Sequence, residues 1–171
     1  MGRPGKTEPW LRGTLTEVPA MHRAVLHALQ MAEEDLTRWC AELTQEELNA
    51  APGGIASVAF HLRHIARSVD RLLAYAEGRR LSEEQLGSLK TEAEANAVAE
   101  VVFAEFRDTL EQAAQRVRAL VGADLETERT VGRQSLPTSL GGLLVHIAEH
   151  TQRHVGQAIT TAKIVLWARS G

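Results

Sequence analysis

Cysteine is nearly missing from this chain: its 171 residues include one, Cys40. A single thiol forms no internal disulfide, which excludes both a disulfide framework and a cysteine zinc site. Long apolar runs are missing too. No stretch approaches the ~20 residues that a membrane span needs, so no membrane partner is expected. There is no surplus of positive charge: 19 Lys and Arg stand against 22 Asp and Glu, a net charge of −3. That balance carries no electrostatic footprint for nucleic acid. Repeats at solenoid periods, low-complexity tracts and convincing strand patterns are also absent. The stretch from Met1 to Trp10 is rich in Gly and Pro. It lacks the apolar centre of a signal peptide, and Lys6 stands where a myristoylation motif needs Ser or Thr. These absences predict a cytoplasmic protein with a flexible tail over residues 1–13. One domain is expected over residues 14–169, long enough to bury a real core.

Four helical patterns fill that domain and predict an all-α fold. The first runs from Val18 to Cys40, with Val18, Met21, Val25, Leu29, Ala32, Leu36 and Trp39 recurring at three- and four-residue steps, the stripe of an amphipathic helix. Cys40 ends this stripe and reads as a small core residue. Thr44 and Glu47 make a capping box for a short turn, and Pro52-Gly53-Gly54 breaks the chain. The second pattern starts at the N-cap Ser57 and ends before Gly78, with Val58, Leu62, Ile65, Val69, Leu72 and Ala76 as its stripe. Ser82 and Gln85 suit another capped turn. The third pattern covers Glu92 to Val121 and stops at Gly122. Ala123 to Pro137 reads as a loop, after which Thr138 or Ser139 caps a fourth helix that runs to about Trp167. Four such helices predict a four-helix bundle. Its longer connections point to at least one diagonal crossing.

Five of the seven histidines fall in two of these helices. In the second, His61 and His64 are ~60° apart on the helical wheel, and in the fourth His146, His150 and His154 span ~80°. Gln157 falls inside that arc. Both sets flank an apolar face, where imidazoles would point into a crevice between helices. Neutral imidazole is the commonest side-chain metal ligand, and bundle cores hold metals with ligands from facing helices. Spacing alone leaves open a three-histidine metal site, a buried histidine network without metal, or a coincidence of surface histidines. Periodicity favours His61 over His64 as the inward member of its pair. His22 and His27 read as ordinary packed or exposed histidines. His146 to His150 also matches the H-x-x-E-H string of inverted zinc proteases, with Glu149 as base. That reading leaves His154 and the other helix without a role. The arginines at 63, 67, 71, 79 and 80 alternate with apolar residues and read as a solvated face, or else as a patch that attracts an anionic substrate.

From about Thr16 to Ala168 the chain resembles the DinB-like (YfiT-like) superfamily of bacterial metalloenzymes. The resemblance rests on the block Ser57 to Ala66, on His146-x3-His150-x3-His154-Val155-Gly156-Gln157, and on Pro52 ahead of the first block. It implies a four-helix bundle of the DinB/YfiT-like type, often a homodimer, with a divalent metal on three histidines. The ligand of the second helix precedes an apolar-Ala pair, which places it at His64 before Ile65-Ala66. The pair from the fourth helix falls on His150 and His154. His61 and His146 then become groups that support a ligating ring or face the substrate, and Gln157 a group that fixes the tautomer of a ligating ring. Many relatives carry an arginine directly after the last histidine. Val155 stands there in this chain, and Arg153 precedes the histidine.

The implied activity is that of a metal-dependent enzyme acting on a small-molecule substrate. The leading chemistry is S-transferase-like: a low-molecular-weight thiol attacks a small electrophile. The alternatives are a hydrolase that uses water activated by the metal and a non-catalytic metal-binding helical module, its site closed by His61 or His146 as a fourth ligand. Zinc or nickel leads as the metal, with iron or manganese behind, since imidazole suits several transition ions. Arg67 or Arg153 is a candidate for holding a substrate carboxylate.

Overall fold

The computed structural model describes residues 7–169. In chain order the helices are α1 (Ala20–Cys40), α2 (Gln45–Asn49), α3 (Val58–Ala76), α4 (Glu83–Ser88), α5 (Ala99–Ala119) and α6 (Leu140–Arg169), with strands β1 (Glu128–Val131) and β2 (Leu136–Ser139) before α6. The starts of four of them follow from local chemistry. The Ser57 hydroxyl accepts from the Phe60 N–H at 3.1 Å, and the Ser139 hydroxyl from the Gly142 N–H at 3.1 Å. Thr44 with Glu47, and Ser82 with Gln85, form reciprocal capping boxes on α2 and α4. Each satisfies N–H groups that a helix start leaves without partners.

The four long helices make the bundle, and their neighbours are not those of a simple up-and-down arrangement. α1 packs on α6 and α5, while α3 packs on α5 and α6. Around the bundle the order is therefore α1, α6, α3, α5. The connections from α1 to α3 and from α5 to α6 both run diagonally. With neighbour-to-neighbour connections, the second and fourth long helices would sit on opposite corners. The diagonals bring them side by side. Both carry the histidine clusters.

The core between the helices is aliphatic, with Leu36, Leu62, Ile65, Leu144 and Ile147 fully buried beside Phe106. The stripe on α3 follows the expected positions until Leu72, which is only partly buried; Leu73 closes the core in its place. Cys40 is buried as expected, and burial pushes its thiol up to about 12. A thiol so protonated is inert. No helix among the described residues is long and apolar enough to cross a membrane.

Three expectations need correction. The stretch read as a loop after Gly122 contains an antiparallel hairpin, with Glu128 opposite Ser139 and Val131 opposite Leu136. Each strand has four residues, too few for an alternation to stand out in sequence. The third helix begins at Ala99 rather than near Glu92. Asn96 takes a left-handed φ of 61°, and the Asn49 amide bonds both the N–H and the carbonyl of Ala97, at 2.8 and 2.9 Å. The backbone of residues 92–97 is thus tied to α2 instead of to a further helical turn. The arginines of α3 are not a uniformly solvated face: Arg67 is paired with Glu105 and Arg71 with Glu92. Of the expected tail, residues 1–6 lie outside the described residues. Pro9–Leu11 forms a 3-10 turn, and Arg12 holds Glu34 of α1 through two contacts of 2.6 Å.

Leu144 has no exposed surface and sits where α6 enters the core. Leu144→Ala is expected to cost about 2–5 kcal/mol of stability, the range for a core leucine that leaves a cavity. Urea unfolding checks this, and a midpoint equal to that of the parent would contradict the packing described.

Candidate metal centre

The seam between α3 and α6 gathers the imidazoles. His61 and His64 stand one turn apart on α3, and His146, His150 and His154 climb α6 at one-turn intervals. Ring centroids lie 4.3 Å apart for His64 and His154, 4.6 Å for His150 and His154, and 5.0 Å for His64 and His150. One nitrogen from each of these three rings lies within 4.8 Å of the others. His61 is the more deeply buried member of its pair, as periodicity suggested, but it touches the group only through His154, with the two Nδ1 atoms 3.1 Å apart. His146 stays at the edge, its ring 5.4 Å from that of His150 and its Nδ1 2.8 Å from Glu149 Oε1. Gln157 is exposed and lines the neighbouring cleft. His22 and His27 are packing residues on α1 away from this group: His22 meets the Leu120 carbonyl and His27 the Thr14 hydroxyl.

The outer nitrogens of the three rings all have partners. His64 Nδ1 lies 2.7 Å from Glu92 Oε2. The other oxygen of Glu92 accepts from Arg71 at 2.7 Å. Burial alone would push the Glu92 carboxyl up, but the bonds from His64 and Arg71 outweigh it and hold it below the usual range. An ionised carboxylate only accepts, so His64 carries a proton on Nδ1. Ser68 donates its hydroxyl to the Ile65 carbonyl at 3.2 Å. Its oxygen is then left to accept from His150 Nδ1, 3.4 Å away. His154 Nδ1 meets His61. The protein thus gives the Nδ1 atom of each of the three rings a partner. The Nε2 atoms of His64 and His150 are 3.3 Å apart. A proton on either Nε2 makes this contact an N–H···N hydrogen bond, and with both protons on Nδ1 the two lone pairs face each other.

Burial keeps most of the cluster neutral. It is the main reason that His61, His150 and His154 are lowered from 6.5 to about 4, with neighbouring imidazoles adding to the effect. Neutral imidazoles are the form that coordinates metals. Beside the cluster, a cleft of about 680 Å³ opens along α6, lined by His61, Arg153, Gln157, Thr160 and Ile55 among others. Arg153 lies 3.3 Å from Glu149 on the exposed surface. Arg67, the other arginine considered for a substrate carboxylate, is fully engaged: it holds Glu105, the Ser88 carbonyl and the Thr91 hydroxyl.

Glu92 and Arg71 escaped the sequence reading as site residues. Glu92 lies 28 positions after His64 and shares no helical period with it. Ser68 lies one turn after His64 on α3, and that spacing was the signal available for it.

The DinB superfamily model matches residues 28–158, a span that contains all five clustered histidines. The chain belongs to the DinB superfamily. Among solved structures it is similar to YfiT from Bacillus subtilis, described as a probable metal-dependent hydrolase with an unusual four-helix bundle topology. The two share 13% sequence identity at a TM-score of 0.62, over 95% of this chain and 91% of that one. At that identity the likeness carries the DinB bundle and not the chemistry. No curated protein matches the sequence.

The lowered histidines give the DinB cluster a sign for its pH dependence. Between pH 6.5 and about 4 the unfolded chain binds protons that the folded chain refuses, so stability falls as pH falls through that window. Chelator-treated protein is expected to lose thermal stability progressively from pH 6.5 downward. A variant with His61, His150 and His154 all replaced by Gln is expected to lose less over the same interval. Parallel curves for the two proteins would show that the cluster is not the titrating group.

Proposed function

We propose that this protein is a metal-dependent enzyme in which His64, His150 and His154 hold a divalent cation on their Nε2 atoms. The observation that carries the reading is the convergence of three imidazoles from two helices, one nitrogen of each within 4.8 Å of the others, with the Nε2 atoms of His64 and His150 3.3 Å apart. A tetrahedral cation with metal–nitrogen bonds of 2.0–2.1 Å has an edge of about 3.3–3.4 Å, which fits the separation. The partners of the outer nitrogens support the same reading, since ligating histidines are ordinarily oriented by a carboxylate or hydroxyl at the second nitrogen. Zinc or nickel suits this all-imidazole set best.

A set of three ligands leaves a position for chemistry. When bound, such a cation supplies Lewis acidity that makes a thiol or water nucleophilic near neutral pH. The chain's own residues do the rest. Glu92 holds His64 in its tautomer, and Arg71 keeps Glu92 ionised. His61, neutral at pH 7, can accept or hold a proton at the cleft edge. Arg153 and Gln157 offer hydrogen-bond donors to a small substrate entering along α6. Transfer to a low-molecular-weight thiol is the leading reaction, supported by the family resemblance. Hydrolysis is the second, supported by the description of YfiT. We assign the activity to a single domain over residues 14–169 that pairs as a homodimer, for which sedimentation at micromolar concentration is the test.

Elemental analysis of purified protein is expected to give about one metal ion per chain, lost in His154→Ala, with affinity weakened about 10–100-fold in Glu92→Gln. Absence of metal even after incubation with zinc or nickel would refute the reading. Loaded protein is then offered an electrophile such as an activated aryl chloride with and without thiol, and a series of esters and amides. Thiol-dependent turnover that disappears in His154→Ala supports transfer, and thiol-independent turnover supports hydrolysis. No turnover of either kind, with metal retained, leaves a binding module and overturns the enzymatic reading.

A further inference from the structure

A second cleft, of about 1130 Å³, lies between the hairpin and the C-terminal end of α3, and shares no residue with the histidine cluster. Tyr75 in its wall is eleven residues beyond His64, or about 16 Å along the helix axis. Gly78, with φ of 75°, ends α3 in a left-handed turn: its N–H reaches the Tyr75 carbonyl and that of Arg79 the Ala74 carbonyl, a Schellman closure. The turn directs Arg79 and Arg80 into the cleft wall. From the other side β1 contributes Arg129, and the hairpin turn contributes Arg133. Four arginines therefore line one concavity, against a single acidic residue, Glu128, in a chain whose net charge is −3.

The arginines differ in what they already hold. Arg79 is paired with Glu77. Arg129 donates Nε to the Ala76 carbonyl at 2.7 Å and Nη1 to the Glu128 carbonyl at 2.9 Å. Those bonds fix its fork at the end of α3, and among the described residues Nη2 makes no hydrogen bond. Among the described residues no carboxylate pairs with Arg80, Arg129 or Arg133. One pre-oriented and two unpaired guanidiniums suit the oxygens of a phosphoryl group, which arginine binds through parallel N–H bonds. Tyr75 and the exposed Leu86 add an apolar wall. A concave site with few convergent charges and an apolar side is built for a small molecule rather than for a flat macromolecular surface.

We propose that this cleft binds a small phosphorylated molecule, its phosphoryl oxygens on Arg80, Arg129 and Arg133 and its organic part against Tyr75 and Leu86. The site stands apart from the metal reading and does not depend on it. Calorimetric titration of the full chain with pyrophosphate and with ADP tests it at low and at physiological salt. Binding of both is expected, with ADP the tighter because it also covers the apolar wall. Arg80 and Arg133 hold nothing in the fold, so the double variant Arg80→Ala/Arg133→Ala is expected to keep the parent's thermal midpoint and to weaken both ligands by roughly tenfold or more. His154→Ala is expected to bind them as the parent does. The proposal is overturned if the parent binds neither probe, if the double arginine variant binds them unchanged, or if binding is lost in His154→Ala and kept in the arginine variant.

Discussion

Everything at the histidine cluster depends on α3 and α6 packing directly against each other. That contact exists because two connections cross the bundle diagonally. Had each helix been joined to its neighbour, the same side chains would have faced separate grooves across the core. The hairpin ahead of α6 is part of this arrangement, since β1 touches α3 and β2 touches α6. The same diagonal segment that delivers α6 to the seam thus also walls the arginine-lined cleft.

Burial and hydrogen bonding act in opposite directions on the polar groups of the seam. Desolvation drives the imidazoles toward neutrality and would do the same to Glu92. Bonds from His64 and Arg71 reverse this for Glu92, so a buried carboxylate remains ionised in the seam. A buried ion pair seldom stabilises a fold more than apolar residues of the same size would. Its presence here is better explained by what it does to His64, which it holds with a proton on the outer nitrogen. Ser68 does the same for His150 with a neutral group. The cluster is preorganised by donors and acceptors that are already committed elsewhere.

The two clefts sit at different depths of the same helix. One opens beside His61 along α6, and the other closes over the last turn of α3. α3 is rigid over the interval between them, with Ile65, Val69 and Leu73 fully buried. The metal reading and the anion reading therefore involve separate surfaces of one stiff element, each with its own set of committed and uncommitted side chains.

The helices, most of their caps and the candidate metal-ligating histidines were legible in the order of residues, because amphipathic periodicity and capping chemistry act over a few residues. Val58, Leu62, Ile65 and Val69 were legible as a core stripe, and Ser57 as the cap that sets its register. His150 and His154 were legible as a one-turn pair. The tertiary structure alone decided that Glu92, and not a residue of the bundle's main helices, would orient His64, because that contact spans a loop whose path is fixed by Asn49 and Asn96. It also decided between His61 and His64 as the ring nearest the other two. The helical wheel ranks residues by angle from the core, whereas the approach of two rings depends on where the neighbouring helix crosses. Four-residue strands and an arginine fork over a helix end were equally invisible beforehand. Their partners are distant in sequence, and no local pattern records them.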